Sequence, residues 1–233
     1  MFKTEINRRL FLKTAVTGTV ISALGGAKYV IANELDPRSK QPRADGRPRL
    51  PSGQRLVDEL KPMGGSQGDP APNNFTLHVS GEVERPFKLT FAELLALPAT
   101  ELVCDLHCVT GWTLFDSQWT GVQVAHLAEI AQVKSTVRHV IFEASNGYTA
   151  NVPYAEATAP NVLLAYMYKN ASLARPHGAP VRALIPDLYL WKSAKWLTGV
   201  SFVQYDRPGY WETRGYHNHG DPWKEERYSR GRK

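Results

Sequence analysis

The chain has 233 residues, 42% hydrophobic and 21% charged, which is ordinary globular composition and excludes a wholly disordered chain. Two cysteines exclude a disulfide scaffold and a four-cysteine zinc module. The net charge of +6 sits at the ends: residues 1–32 carry five basic side chains against one acidic, and residues 74–206 carry nine against eleven. A nucleic-acid footprint needs a clustered basic face, and the middle of the chain has no such excess, so no nucleic-acid partner is expected.

Residues 1–32 read as an export signal. Asn7-Arg8-Arg9-Leu10-Phe11-Leu12-Lys13 puts paired arginines ahead of Phe-Leu-Lys, and a modestly apolar run follows from Ala15 to Leu24. That run is too short and too rich in Gly and Thr for a spanning helix, which needs about 20 predominantly apolar residues. The motif resembles a twin-arginine signal. The resemblance implies passage of a folded protein, often with its cofactor loaded, through the twin-arginine translocase to the periplasm or cell exterior. Gly25-Gly26-Ala27 and Val30-Ile31-Ala32 are the candidate cleavage sites, and an uncleaved signal would leave the chain membrane-anchored.

Residues 33–73 read as a Pro/Gly-rich linker or arm, with Pro37, Pro42, Pro48, Pro51, Pro62, Pro70 and Pro72 and a Gly64-Gly65-Ser66-Gln67-Gly68 run. Such a stretch buries too little apolar surface to offset its chain entropy. A short helix over 56–60 is the one element expected in it. From Asn74 the pattern becomes that of a folded domain, 74–233. Phe75–Val79 alternates like a strand. Thr90-Phe91-Ala92-Glu93 is a capping box opening a short helix that Pro98 ends. Leu102–Val109 reads as a strand, and Val124, Leu127, Ala128 and Ala131 form a helical stripe. Strands are expected over 137–142, 148–152, 162–168, 181–185 and 201–205. The fold class is therefore α+β, one domain of mixed β-sheet with short helices. Tyr210, Trp211, Tyr216 and Trp223 are too many large aromatics to be left in water, so the segment 207–223 should pack back on the domain, leaving 224–233 solvated.

Cys104 and Cys108 are four positions apart on one strand, too far for a comfortable disulfide at about 3.3 Å per residue. Cys104, mid-strand, reads as a small buried hydrophobe. Cys108 ends the apolar run at a Thr-Gly-Trp turn, where a thiolate is an accessible ligand or nucleophile. His107 and Cys108 point to opposite strand faces, and two cysteines cannot hold an iron–sulfur cluster alone. A lone thiolate suffices when a cofactor supplies the remaining ligands.

His107-Cys108-Val109-Thr110-Gly111-Trp112 followed by Trp119-Thr120-Gly121-Val122 resembles the core motif of the sulfite oxidase-type molybdopterin-dependent oxidoreductases. The likeness is greater to bacterial exported members related to the catalytic subunit of periplasmic methionine sulfoxide reductase. Further matches are Gly147-Tyr148-Thr149, Asn151-Val152-Pro153, Val162–Tyr166, Gly178-Ala179-Pro180-Val181-Arg182, Leu188–Trp196 and Gly215–Trp223, in order over roughly residues 75–228. The resemblance implies a molybdenum–molybdopterin cofactor, with Cys108 as the protein's sulfur ligand to the metal. It also places Arg182 and Ser193-Ala194-Lys195 on the pterin or its terminal phosphate, with His177 at a cofactor-contacting position. Lys192 joins them by type: it and Lys195 are flanked by Trp191 and Trp196, unusual company for solvated lysines. His107 replaces an arginine of the methionine sulfoxide reductase relatives, and is expected to contact cofactor or substrate. The same relatives have Glu-Ala where this chain has Thr110-Gly111, so their substrate does not carry over. Asp116, Ser145, Tyr148, Asn151 and Tyr189 are further pocket candidates. His217, His219 and Asp221 suit zinc poorly and are expected to be structural.

The expected activity is two-electron or oxygen-atom-transfer chemistry on a small molecule such as a sulfoxide, N-oxide or sulfite. The chain has no C-x-x-C-H haem motif and no nucleotide-binding glycine fingerprint. Electrons would then pass to a separate partner, a membrane b-type haem protein or a cytochrome c. Two alternatives stand: a non-catalytic exported binding module with this fold, and a zinc or copper site built from His107, Cys108 and the tail histidines.

Overall fold

The computed structural model describes residues 36–65 and 71–229. The export-signal reading of residues 1–32 lies outside them. Two compact units divide at Leu50 and Pro51. In the first, the described residues form a 3₁₀ turn, Pro37–Lys40, capped by Asp36, and a loop in which Asp45 accepts from Arg47.

The second unit is built on two sheets. Strand β1 is Arg55–Leu56, β2 Thr76–Gly81, β3 Phe87–Thr90, β4 Thr100–Cys108, β5 Trp112–Gln123, β6 His139–Ala144, β7 Thr149–Pro153, β8 Leu163–Tyr168, β9 Ala171–Ser172, β10 Arg182–Leu184 and β11 Leu197–Val203. Among the described residues, a six-stranded sheet runs β1-β5-β8-β10, with β4 on β5 and β9 on β8, and a five-stranded sheet runs β3-β2-β11-β6-β7. Helix α1 is Phe91–Leu95, α2 Val124–Ala131 and α3 Tyr154–Ala157. The capping box forms as the sequence predicts: Glu93 N donates to Thr90 Oγ1, and Thr90 N to Glu93 Oε2. Helix α2 buries Val124, Leu127, Ala128 and Ala131, the predicted stripe.

Strand alternation explains how the core divides. Leu164, Tyr166 and Ala183 join α2 and the five-stranded sheet in the main core. Their neighbours Leu163, Ala165 and Leu184 face the other way, into a second cluster with Leu106, Cys108, Trp112, Leu114, Trp119 and Leu60. The candidate chemistry lies on this second side. The arm departs from expectation here. No helix forms over 56–60; β1 pairs instead in parallel with β5, Arg55 against Trp112 and Leu56 against Thr113. The end of the chain departs only in part: Tyr228 bridges to Tyr216 and Arg227 is half-buried, while Lys224, Glu225, Tyr228 and Ser229 are exposed as expected.

Candidate active site

Strands β4 and β5 form a hairpin in which Cys108 pairs with Trp112 and His107 with Thr113. Gly111 closes the turn at φ +87°, a left-handed conformation that explains the Thr-Gly sequence there. Three carbonyls around the cysteine are engaged. Gln54 Nε2 donates to Cys108 O at 3.2 Å, Arg55 N donates to Gly111 O at 3.0 Å, and Arg227 Nη1 donates to Val109 O. The arm and the tail thus clamp the turn from two directions. Burial pushes the Cys108 thiol up, while Thr110, Arg227 and Lys61 pull it back.

Cys108 lines a cavity of about 540 Å³. The same cavity is lined by Tyr148, His177, Arg182, Ser193, Ala194 and Lys195, six further residues the sequence nominates. Gly178 makes their approach close: at φ +112° a Cβ there would stand 3.0 Å from both Arg182 Cβ and Lys195 Cβ. The Arg182 guanidinium is buried and donates only to carbonyls, those of Ala183, His177 and Ser193, at 3.0–3.2 Å. Lys195 Nζ likewise meets only carbonyls, of Met63, Gly64 and Pro176, and lies 4.3 Å over the Trp196 ring. Among the described residues neither cation has a carboxylate within ion-pair distance. Burial accordingly lowers Arg182 to about 10, and burial with the Arg182 charge lowers Lys195 to about 8. His177 is lowered by burial and by both cations. A buried cation without a counter-charge is costly, and buried Arg182 with half-buried Lys195 at one cavity, beside the His177 imidazole, makes a seat for an anion.

Several expectations need correction. His107 is fully buried on the opposite face from Cys108, with Nδ1 2.9 Å from Thr113 Oγ1 and its ring edge-on to Trp223; it does not line the cavity. Strand alternation decides this. Lys192 is also turned away. Its Nζ lies 2.5 Å from Glu212 Oε1 and donates to Asn151 O, Asn151 Oδ1 and Asn218 O, an interior ion pair with side-chain exposures of 0% and 2%. The Ser193 and Ala194 amides are spent within the turn, on Leu190 O and Lys192 O. Asp116 is exposed at φ +53°, its amide donating to Asp105 Oδ1, and Ser145 is exposed; neither lines the cavity. Tyr189 and Asn151 are buried away from it, Tyr189 stacked on Trp191. Cys104 is partly buried, 3.7 Å from Ser117 Oγ, and neither cysteine is in a disulfide. Among the described residues no three His, Cys, Asp or Glu side chains gather into a metal site, so the zinc or copper alternative is not built. His219 instead sits between Glu156 and Glu226, a structural tie as expected. Residues missed by the sequence reading are Gln54, Lys61, Glu212 and Arg227, polar side chains that no motif marks.

A family model described as an oxidoreductase molybdopterin binding domain matches residues 65–211. The chain belongs to that family. It is an oxidoreductase of the sulfite oxidase type, as the motifs imply. It is 43% identical to the uncharacterized oxidoreductase YuiH of Bacillus subtilis over 66% of this chain and 78% of that protein. It is 30% identical to the protein-methionine-sulfoxide reductase catalytic subunit MsrP of Campylobacter jejuni over 60% of this chain and 52% of that one. With sulfite oxidase of Arabidopsis thaliana it shares 25% identity over 61% of this chain and 45% of that one. Among solved structures, the sulfane dehydrogenase SoxCD of Paracoccus pantotrophus superposes with a TM-score of 0.53 at 21% identity, covering 60% of this chain and 40% of that one, which shows a shared fold.

Proposed function

We propose that this molybdopterin-family oxidoreductase holds a mononuclear molybdenum–molybdopterin cofactor in the Cys108 cavity and acts after export by the twin-arginine route. The observation that carries the reading is the meeting of one soft thiol with two cations, Arg182 and Lys195, that lack a carboxylate partner among the described residues, and with the His177 imidazole beside them. Thiolate is a fitting ligand for a soft metal centre, and Arg182, Lys195 and His177 fit an anionic terminal phosphate. When bound, the cofactor supplies two-electron, oxygen-atom-transfer chemistry to a small substrate.

The chain's own residues would do the rest. Cys108 holds the metal from a turn immobilised by Gln54, Arg55 and Arg227. Arg182 and Lys195 fix the anionic end and set its orientation. Electrons are exchanged with a separate one-electron protein, for which a haem protein is the simplest class.

The test is metal analysis of the chain made with its own signal in a molybdopterin-competent host, beside Cys108→Ala. Near one molybdenum per chain, lost in the variant together with reduction or oxidation of sulfoxides, N-oxides or sulfite, supports the reading. Zinc, or no metal despite cofactor supply, overturns it.

A further inference from the structure

One part of the cavity wall is not absorbed by the cofactor seat. Tyr148, Trp191, Tyr210, Trp211 and Tyr216 all line the cavity. They touch in a closed circuit. Tyr148 and Tyr210 have ring centroids 5.6 Å apart, Tyr210 and Trp211 5.2 Å, Trp211 and Tyr216 4.8 Å, and Tyr216 and Trp191 5.1 Å. The Tyr148 hydroxyl closes the ring by donating to the Trp191 carbonyl. These residues come from three separate segments, so the circuit is made by the fold and not by local sequence.

The circuit is also braced. Glu212 Oε1 accepts from Trp191 Nε1 at 2.8 Å and pairs with Lys192 at 2.5 Å. The ion pair therefore locks an indole of the wall to the segment that carries Tyr210, Trp211 and Tyr216. A buried ion pair is weak evidence of stabilisation for its own sake, and here it fixes the orientation of an aromatic surface.

Resting on the molybdenum reading above, we propose that this aromatic bowl is the substrate subsite, and that it takes an apolar, preferably aryl, substituent of an organic oxide. The charge distribution points the same way. Arg182 and Lys195, with the His177 imidazole, are committed to the cofactor's anion, and among the described residues Lys61 is the one remaining lysine or arginine lining the cavity, on an exposed loop. An inorganic dianion would find one exposed lysine and five rings. A phenyl group would find offset or edge-on partners on several sides, which aromatic pairs favour, and a pocket of this kind binds chiefly through apolar contact.

The test is isothermal titration of the full chain, cofactor-loaded and cofactor-free, with methyl phenyl sulfoxide, dimethyl sulfoxide and sulfite. The loaded chain should bind methyl phenyl sulfoxide at least about tenfold more tightly than dimethyl sulfoxide, the expected gain for burying a phenyl ring, and should show no saturable sulfite binding. Trp211→Leu should erase most of that preference, and Glu212→Gln should weaken it by loosening Trp191. The Glu212→Gln effect should appear in KM for aryl substrates more than in kcat, with a shift in tryptophan emission. Equal affinity for the two sulfoxides, tighter binding of sulfite, or aryl binding by the cofactor-free chain alone would overturn the proposal, the last because the bowl would then be the cofactor's own seat. Retained aryl preference in a chain that binds cofactor but turns over no oxide would support the subsite while counting against the proposed reaction.

Discussion

Lys192 and Lys195 are three residues apart, equally close to a tryptophan, and opposite in what surrounds them. Lys192 is wholly buried against Glu212, Asn151 and Asn218, its charge matched. Lys195 lines the cavity among carbonyls and over the Trp196 ring, and no carboxylate among the described residues matches its charge. A compensated buried charge holds architecture together. An uncompensated one beside a cavity is kept for a ligand, because removing it would relieve the protein of a cost.

That contrast is open to experiment. The largest effect should come from Lys192→Ala, which leaves Glu212 buried and unpaired; a loss of about 3–5 kcal/mol is expected, read as a fall in Tm of roughly 10 °C. The double variant Lys192→Met with Glu212→Leu should recover most of it, since two apolar residues can replace a buried pair at little cost. In Lys195→Met the cofactor-free protein should keep its stability to within about 1 kcal/mol, while retention of the phosphate-bearing cofactor falls by about 10–100-fold, the value of a charge-assisted hydrogen bond.

A pH effect sharpens the same point. Lys195 is lowered to about 8 by burial and by Arg182, so in the cofactor-free chain it is cationic below that value and neutral above it. Affinity for inorganic pyrophosphate should be highest below about 8 and should fall as pH rises through it. Lys195→Met should flatten that profile. The smallest effect belongs to His219, whose pKa is raised by Glu156 and then Glu226. Its contribution is complete below the ordinary 6.5 and is lost as pH rises through the raised value. His219→Gln should remove that pH dependence, a change in Tm of about 2–4 °C for about 1 kcal/mol.

Much of the fold is legible in the sequence because local signals agree with burial. The Thr90–Glu93 box, the stripe on α2 and the alternation of β8 each name an element and its buried face. Strand β1 is not legible: two residues, one of them charged, join the sheet through backbone alone. The site divides likewise. Cys108, Arg182 and Lys195 follow from motif and residue type, whereas Lys192 is expected at the cavity from its type and its tryptophan neighbour alone. The 3₁₀ turn ends at Lys192, Ser193 leaves helical geometry at ψ 75°, and Trp196 turns at φ +53°, so the two lysines diverge. No composition or periodicity encodes that break. His107 is the converse case. Alternation already put it opposite Cys108, and its expected contact with the site rested on a relative's arginine.

The most direct measurement is a separate count of molybdenum and pterin per chain in the wild type, Lys195→Met and the Lys192→Met/Glu212→Leu pair, all expressed with cofactor supply. A role for Lys195 in seating the cofactor's anion predicts near one of each in the wild type, both largely lost in Lys195→Met, and both retained in the double variant. Full retention in Lys195→Met, or loss confined to the double variant, would contradict it.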